Sequence, residues 1–234
     1  MKLLRALALL TLLVGAAILI VGLISSGGED KPVAVREFDS APDTSTPTPT
    51  AEPSLTPTPS PTPFDGKVAR MKIPSLKIDY PIEELGLNEA TNELATPLDT
   101  TGKIGWYRIY PRPGYLKNAL FSAHVNYNGK DGPFIDLHKV QQGAEILVSM
   151  EGGPEYRYRV FRLKQYVIDA KYTDGDPSRV IDMGKLINPP DRPEGKEWIT
   201  LITCSCGPGR VIPLTADGFG ECVDRDVVVA ERVQ

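Results

Sequence analysis

The chain has 234 residues, enough for one sizeable domain plus appendages. Its formal net charge is −4, so no basic excess points to nucleic acid as a partner. Two histidines and three cysteines leave little material for a metal site. Structural zinc sites pair their ligands about two to four residues apart at both ends. Here Cys204 and Cys206 form one short pair with a single residue between them, and no metal is expected.

The first 28 residues read as a membrane signal-anchor. Lys2 and Arg5 precede an almost unbroken apolar stretch from Ala6 to Ile24. About 20 apolar residues span a bilayer as a helix, whereas a cleaved signal peptide has an apolar core of ~7–15. The charges sit on the N-terminal side, which predicts a cytoplasmic N-terminus and an extracytoplasmic remainder.

Residues 29–67 read as a disordered linker. Runs such as Thr46-Pro47-Thr48-Pro49 and Thr56-Pro57-Thr58-Pro59-Ser60-Pro61 dominate it. Proline removes backbone donors and fixes φ, so neither helix nor inner strand is expected. An extended proline-rich spacer of this length reaches on the order of 100 Å.

Residues 68–234 read as the folded domain, mostly β. Short β-rich runs cover 68–73 and 77–82, split by Pro74-Ser75. Further strand-like runs follow at 118–124, 144–150, 156–167, 198–204 and 226–233. Turn signals separate them: Asn128-Gly129, Asp131-Gly132-Pro133, Gly152-Gly153-Pro154 and Asp174-Gly175-Asp176-Pro177. Helical patterns are brief, at 134–140 and 178–186. Many short strands joined by Gly/Pro turns predict a closed barrel or a sandwich.

Three chemically distinctive side chains fall at ends of these runs. Cys204 closes Trp198–Cys204, His124 closes Asn118–His124, and Arg225 opens the last run. Thiol, imidazole and guanidinium at strand ends suit cysteine acyl transfer. The thiolate is the working nucleophile, and a thiol in water has a pKa of about 8.5. His138 lies on the polar face of a short helix and reads as a surface residue. Arg210 sits in a Gly/Pro turn without strand context. Cys206 and Cys222 are candidates for a disulfide bracing the intervening loop in an oxidising exterior. Cys204 bonding Cys206 fits less well, since two strand positions set their Cα atoms ~6.6–7 Å apart.

These residues resemble the sortase family of membrane-anchored bacterial cysteine transpeptidases. Thr200-Leu201-Ile202-Thr203-Cys204 fits the family signature TLxTC in full, and Arg225 before Asp226-Val227-Val228-Val229-Ala230 fits the arginine that opens its last strand. His124 fits the histidine that closes an earlier strand, with Pro133-Phe134, Leu137 and Gly143 after it. The resemblance covers nearly all of 68–234 and implies an eight-stranded β-barrel with the site at one mouth. It further implies that Cys204 attacks a peptide carbonyl to form a thioester. His124 would serve the departing and incoming amines, and Arg225 the oxyanion or the substrate backbone. Thr203 would support substrate or oxyanion through its hydroxyl. The implied partners are proteins bearing a C-terminal sorting signal like Leu-Pro-x-Thr-Gly, and an amine on a cell-wall precursor or a pilin lysine. Residues 172–197 would form the loop and short helix that shape the groove. Gly105-Trp106-Tyr107 and the compact domain point to a smaller subclass unlike the housekeeping enzymes. No acidic cluster resembles a calcium site, and no cofactor is expected. A thiol hydrolase or a non-catalytic peptide-binding module on the same fold are the competing readings.

Overall fold

The computed structural model describes residues 37–40, 63–99, 101–205, 211–213 and 220–233. Thirteen strands occur among them. They are β1 (Phe38–Asp39), β2 (Val68–Ile73), β3 (Ile78–Leu85), β4 (Ile104–Tyr107), β5 (Asn118–Ser122), β6 (Asn126–Tyr127) and β7 (Lys130–Asp131). They continue as β8 (Glu145–Met150), β9 (Glu155–Val167), β10 (Trp198–Ser205), β11 (Val211–Pro213), β12 (Gly220–Cys222) and β13 (Asp224–Arg232). One short helix, α1 (Met183–Ile187), lies between β9 and β10.

Eight strands close on themselves in the order β9-β13-β10-β5-β4-β3-β2-β8, with β8 pairing back to β9. Closure removes the sheet edges that would otherwise expose unpaired backbone groups. The predicted closed eight-stranded barrel is the observed one. Most neighbours are antiparallel, but β10 runs parallel to β5 and β4 parallel to β3.

Period-2 alternation fills the interior. Ile199 and Leu201 of β10, Ala119 and Phe121 of β5, and Val228 and Ala230 of β13 join the main core. The residues between them face outward. Trp198, Val227 and Val229 pack outside with Phe161 and Leu186, while Leu120, Tyr107 and Leu85 form a third cluster. Ile202 and Met183 touch both outer clusters.

Helix α1 is short because Asp182 caps it, its carboxylate accepting from the Lys185 N–H, and prolines 189 and 190 follow its end. Asn118 fastens it to the barrel by donating to the carbonyls of Leu186 (2.7 Å) and Ile187 (3.1 Å). The Asn118 carbonyl oxygen accepts from Thr200 Oγ1 at 3.0 Å. The start of β10 is held by Glu197, which is buried and ionically paired with Arg232 at 2.9 Å. Its carboxylate also accepts from Tyr158 and from the backbone N–H groups of Gly114 and Leu116. A buried carboxylate persists only with such partners.

The predicted linker is not wholly unstructured. Phe38–Asp39 pairs with β9 opposite Leu163 and Arg162. Phe38 packs on the core, and Asp39 bridges to Arg162 at 2.9 Å. An aromatic and a carboxylate with waiting partners override the composition of the surrounding tract. Phe64 also packs against the core, and Arg112 donates to the carbonyls of Asp65 and Gly66. The predicted anchor, and the Thr/Pro runs of 41–62, lie outside the described residues. Among the described residues no helix is long and apolar enough to cross a membrane.

Candidate active site

The register of three adjacent strands builds the site. On β10 and β13, Cys204 stands directly opposite Arg225. Side chains directly opposite in an antiparallel pair lie on one face, Cβ atoms ~4.5–5.5 Å apart. On the other flank, β10 and β5 run parallel with Ile202 beside Ser122. The pairing ends there, with Cys204 two residues further along β10 and His124 two residues beyond the end of β5. Alternation from Ile202, Ser122 and Val227 turns all three side chains to the outer face. Each of the three is partly exposed.

The order Arg225, Cys204, His124 therefore follows from strand order β13-β10-β5 and needs no long loop to converge. Residues far apart in sequence come near one rim because each lies at or just past a strand end there. The register sets Cys204 directly opposite Arg225, and His124 follows two residues after the last β5 residue paired with β10.

Thr203 goes elsewhere. Its side chain points inward, is 4% exposed, and donates from Oγ1 to the Ala123 carbonyl at 2.7 Å. A hydroxyl has one donor, and here the backbone beside His124 takes it. The hydroxyl expected to support substrate or oxyanion thus spends its donor on the Ala123 carbonyl. The reason is alternation: the residue next to an outward Cys204 must face in.

His124 is held by its backbone on the side away from Cys204. Its carbonyl accepts from the Phe134 N–H at 3.1 Å, and Gly132 N–H donates to the Val125 carbonyl at 2.8 Å. The β6–β7 hairpin turns through Asn128 and Gly129, both at positive φ, as an Asn-Gly turn favours. It carries Tyr127 to 5.9 Å from the imidazole, centroid to centroid. Burial lowers the His124 pKa, opposed by the Pro97 backbone and the Glu83 carboxylate. Nε2 is buried and makes no hydrogen bond.

Arg225 is steered by backbone. Its Nη1 donates to the carbonyls of Cys222 and, at 3.0 Å, Asp224. Cys222 is disulfide-bonded, while Cys204 is a reduced thiol. Cys206, the partner considered for Cys222, lies outside the described residues, as does Arg210.

Beneath the rim, inside the barrel, lies a polar layer the sequence did not reveal. Asp226, opposite Thr203, is 2% exposed. Its Oδ1 accepts from Gln165 Nε2 at 3.3 Å, and Gln165 also donates to Ser205 Oγ at 3.1 Å. Burial raises the Asp226 pKa, hydrogen bonds from Ser205 and Gln165 oppose this, and neighbouring Asp224 adds to the rise. Among the described residues, no group of three or more His, Cys, Asp or Glu side chains is arranged to hold a metal ion.

The family model for the sortase domain matches residues 71–217, well over half of the chain. The chain belongs to the sortase family. Solved structures similar to it include a lid mutant of sortase A from Corynebacterium diphtheriae, 21% identical, with 71% of this chain and 70% of that chain covered and a TM-score of 0.45. Sortase C1 from Streptococcus agalactiae is 22% identical over 73% of this chain and 69% of that one, TM-score 0.47. A Clostridium perfringens sortase D5 transpeptidase is 19% identical over 73% and 80%, TM-score 0.45. No curated protein sequence matches.

Proposed function

We propose that this sortase is a cysteine transpeptidase. It cleaves a C-terminal sorting signal resembling Leu-Pro-x-Thr-Gly and transfers the new carboxyl end to an amine of the cell envelope. The observation that carries the reading is Cys204 paired directly with Arg225, with His124 just past the end of the strand that flanks β10 on its other side.

Cys204 Sγ attacks the scissile carbonyl, and its proton goes to the imidazole of His124. The guanidinium of Arg225 donates to the oxyanion of the tetrahedral intermediate, a contribution of ~10²–10³ in rate for one such donor. Collapse breaks the C–N bond. The departing amine takes the proton from His124, leaving a thioester on Cys204. The acceptor amine then attacks the thioester, gives its proton to His124, and releases the thiolate. The outer cluster of Leu120, Tyr107 and Ile202, flanked by Met183 and Ile187, offers an apolar floor beside Cys204 for the signal's leucine and proline. Residues 6–24 would anchor the chain, with the N-terminus cytoplasmic and the barrel on the outer side of the membrane.

The test incubates the chain with a panel of sorting peptides and a panel of amines, separating the products by mass. The reading expects a peptide–amine conjugate, lost in Cys204→Ala. Release of free acid alone, with no conjugate at any amine concentration, would replace transfer by hydrolysis. Binding without cleavage would leave a peptide-binding module.

A further inference from the structure

Strand β9 outruns its neighbour. Its pairing with β8 ends at Arg159, and the last backbone bonds on that side join Val160 to Gly143 and Ala144. From Phe161 onward the edge would expose unpaired backbone groups, and a piece of the predicted linker takes it. Phe38 stands opposite Leu163 and Asp39 opposite Arg162. Ser40 N–H donates to the Phe161 carbonyl at 3.1 Å, and Glu37 Oε1 accepts from the Gln165 N–H at 3.3 Å. Phe38 packs on the core, while Asp39 is exposed.

Asp39 meets a guanidinium already committed to another segment. Arg162 donates from Nε to Asp39 and from Nη2 to Asp191, which lies in the turn between α1 and β10. Its side chain is 15% exposed, against 49% for each carboxylate. It lies over the rings of Phe161 and Trp198, 5.3 and 5.8 Å from their centroids. Those rings belong to the outer cluster that seats α1 through Leu186 and Met183 and reaches Ile202, two residues before Cys204. Contact thus runs from the linker, through one arginine, to the helix flanking the apolar floor.

We propose that Glu37–Ser40 is a working part of the enzyme: a strap that holds Arg162 over Phe161 and Trp198 and so keeps α1 seated as a wall of the substrate groove. That α1 walls a groove rests on the transpeptidase reading. Two carboxylates suit two edges of one guanidinium fork, and Asp39 is the one that leaves with the strap. Without it Nε loses this acceptor, and the guanidinium turns toward Asp191 and water, away from the rings it covers. Arg162 is a positioning residue, acting on the groove through α1.

The test is hydrogen–deuterium exchange of the full-length, detergent-solubilised chain, read by mass spectrometry without substrate. Phe38→Ala removes the strap's core contact, and Asp39→Asn discharges its carboxylate. A charge-assisted hydrogen bond is worth roughly tenfold in an equilibrium, so residues 183–191 should exchange about tenfold faster in both variants. Strands β2 and β3, which do not pair with the strap, are the reference and should exchange as in the parent. With a sorting peptide, KM should rise several-fold while kcat stays within about twofold, the mark of lost binding rather than lost chemistry. The inference is overturned if residues 183–191 exchange at the parent's rate in both variants, or if the reference strands speed up equally. Faster exchange with an unchanged KM would overturn the link to the groove. The exchange needs no peptide, so its outcome stands apart from whether any peptide is transferred.

Discussion

Replacing Gly132 by alanine moves His124 without altering it. A Cβ at position 132 would lie 2.2 Å from the His124 carbonyl oxygen, 2.7 Å from its carbonyl carbon and 3.1 Å from its Cβ. Comfortable contact between such atoms is about 3.5 Å, so the backbones must separate by about 1 Å. Gly132 has little room to retreat, because Phe134 is fully buried two residues on and its N–H bonds to the same His124 carbonyl. The imidazole therefore shifts relative to Cys204. A 1 Å misplacement of a reacting group costs roughly 10²-fold, and the strain costs about 1–3 kcal/mol of stability. Steady-state transfer of a sorting peptide to an amine gives the rate, and circular dichroism with a denaturant melt gives the fold. The expected variant is folded, somewhat less stable, and about a hundredfold slower in kcat. A folded Gly132→Ala enzyme within threefold of the parent would refute the claim that this packing places His124.

Thr203→Val keeps shape but leaves the Ala123 carbonyl without its donor, costing roughly 1–3 kcal/mol in denaturant melts, with Thr203→Ser restoring most of it. Cys222→Ser removes a disulfide, typically worth about 2–4 kcal/mol, and loosens the carbonyl that steers Arg225. Both the melting temperature and kcat should fall, and unchanged values for both would contradict the bracing role. Asp226 holds its proton more tightly folded than unfolded, so its contribution to stability falls as pH rises from the ordinary carboxylate range through its raised pKa. Asp226→Asn should flatten that part of the stability–pH curve, as read by urea unfolding at several pH values, and an unchanged slope there would contradict the assignment.

Long runs were the readable part of the barrel. Strands β9, β10 and β13 announce themselves through Val, Ile, Tyr and Thr at period 2, and their bounds fall within two residues of those read from the chain. Strand β4 escaped as a strand, because Ile104–Tyr107 is four residues long, contains Gly105, and is buried throughout, so no alternation marks it. The helical patterns shrank to 3₁₀ turns at 137–139 and 177–179 and to the five residues of α1. Their apolar residues pack on the barrel rather than along a helix of their own. Cys204, His124 and Arg225 could be picked out by position at strand ends. Asp226, Gln165 and Ser205 could not, since only register reveals that they share the barrel interior. Thr203 shows how motif and pleat divide: the signature names it beside the nucleophile, and alternation sends it to the opposite face.

The central claim is that Cys204 becomes acylated. Intact-protein mass spectrometry after brief incubation with a sorting peptide, quenched in acid, reads this directly. The account predicts a mass increase equal to the peptide's N-terminal fragment, mapped to Cys204, reversed by hydroxylamine and absent from Cys204→Ala. An adduct that persists in Cys204→Ala, or that maps to another residue, would contradict it.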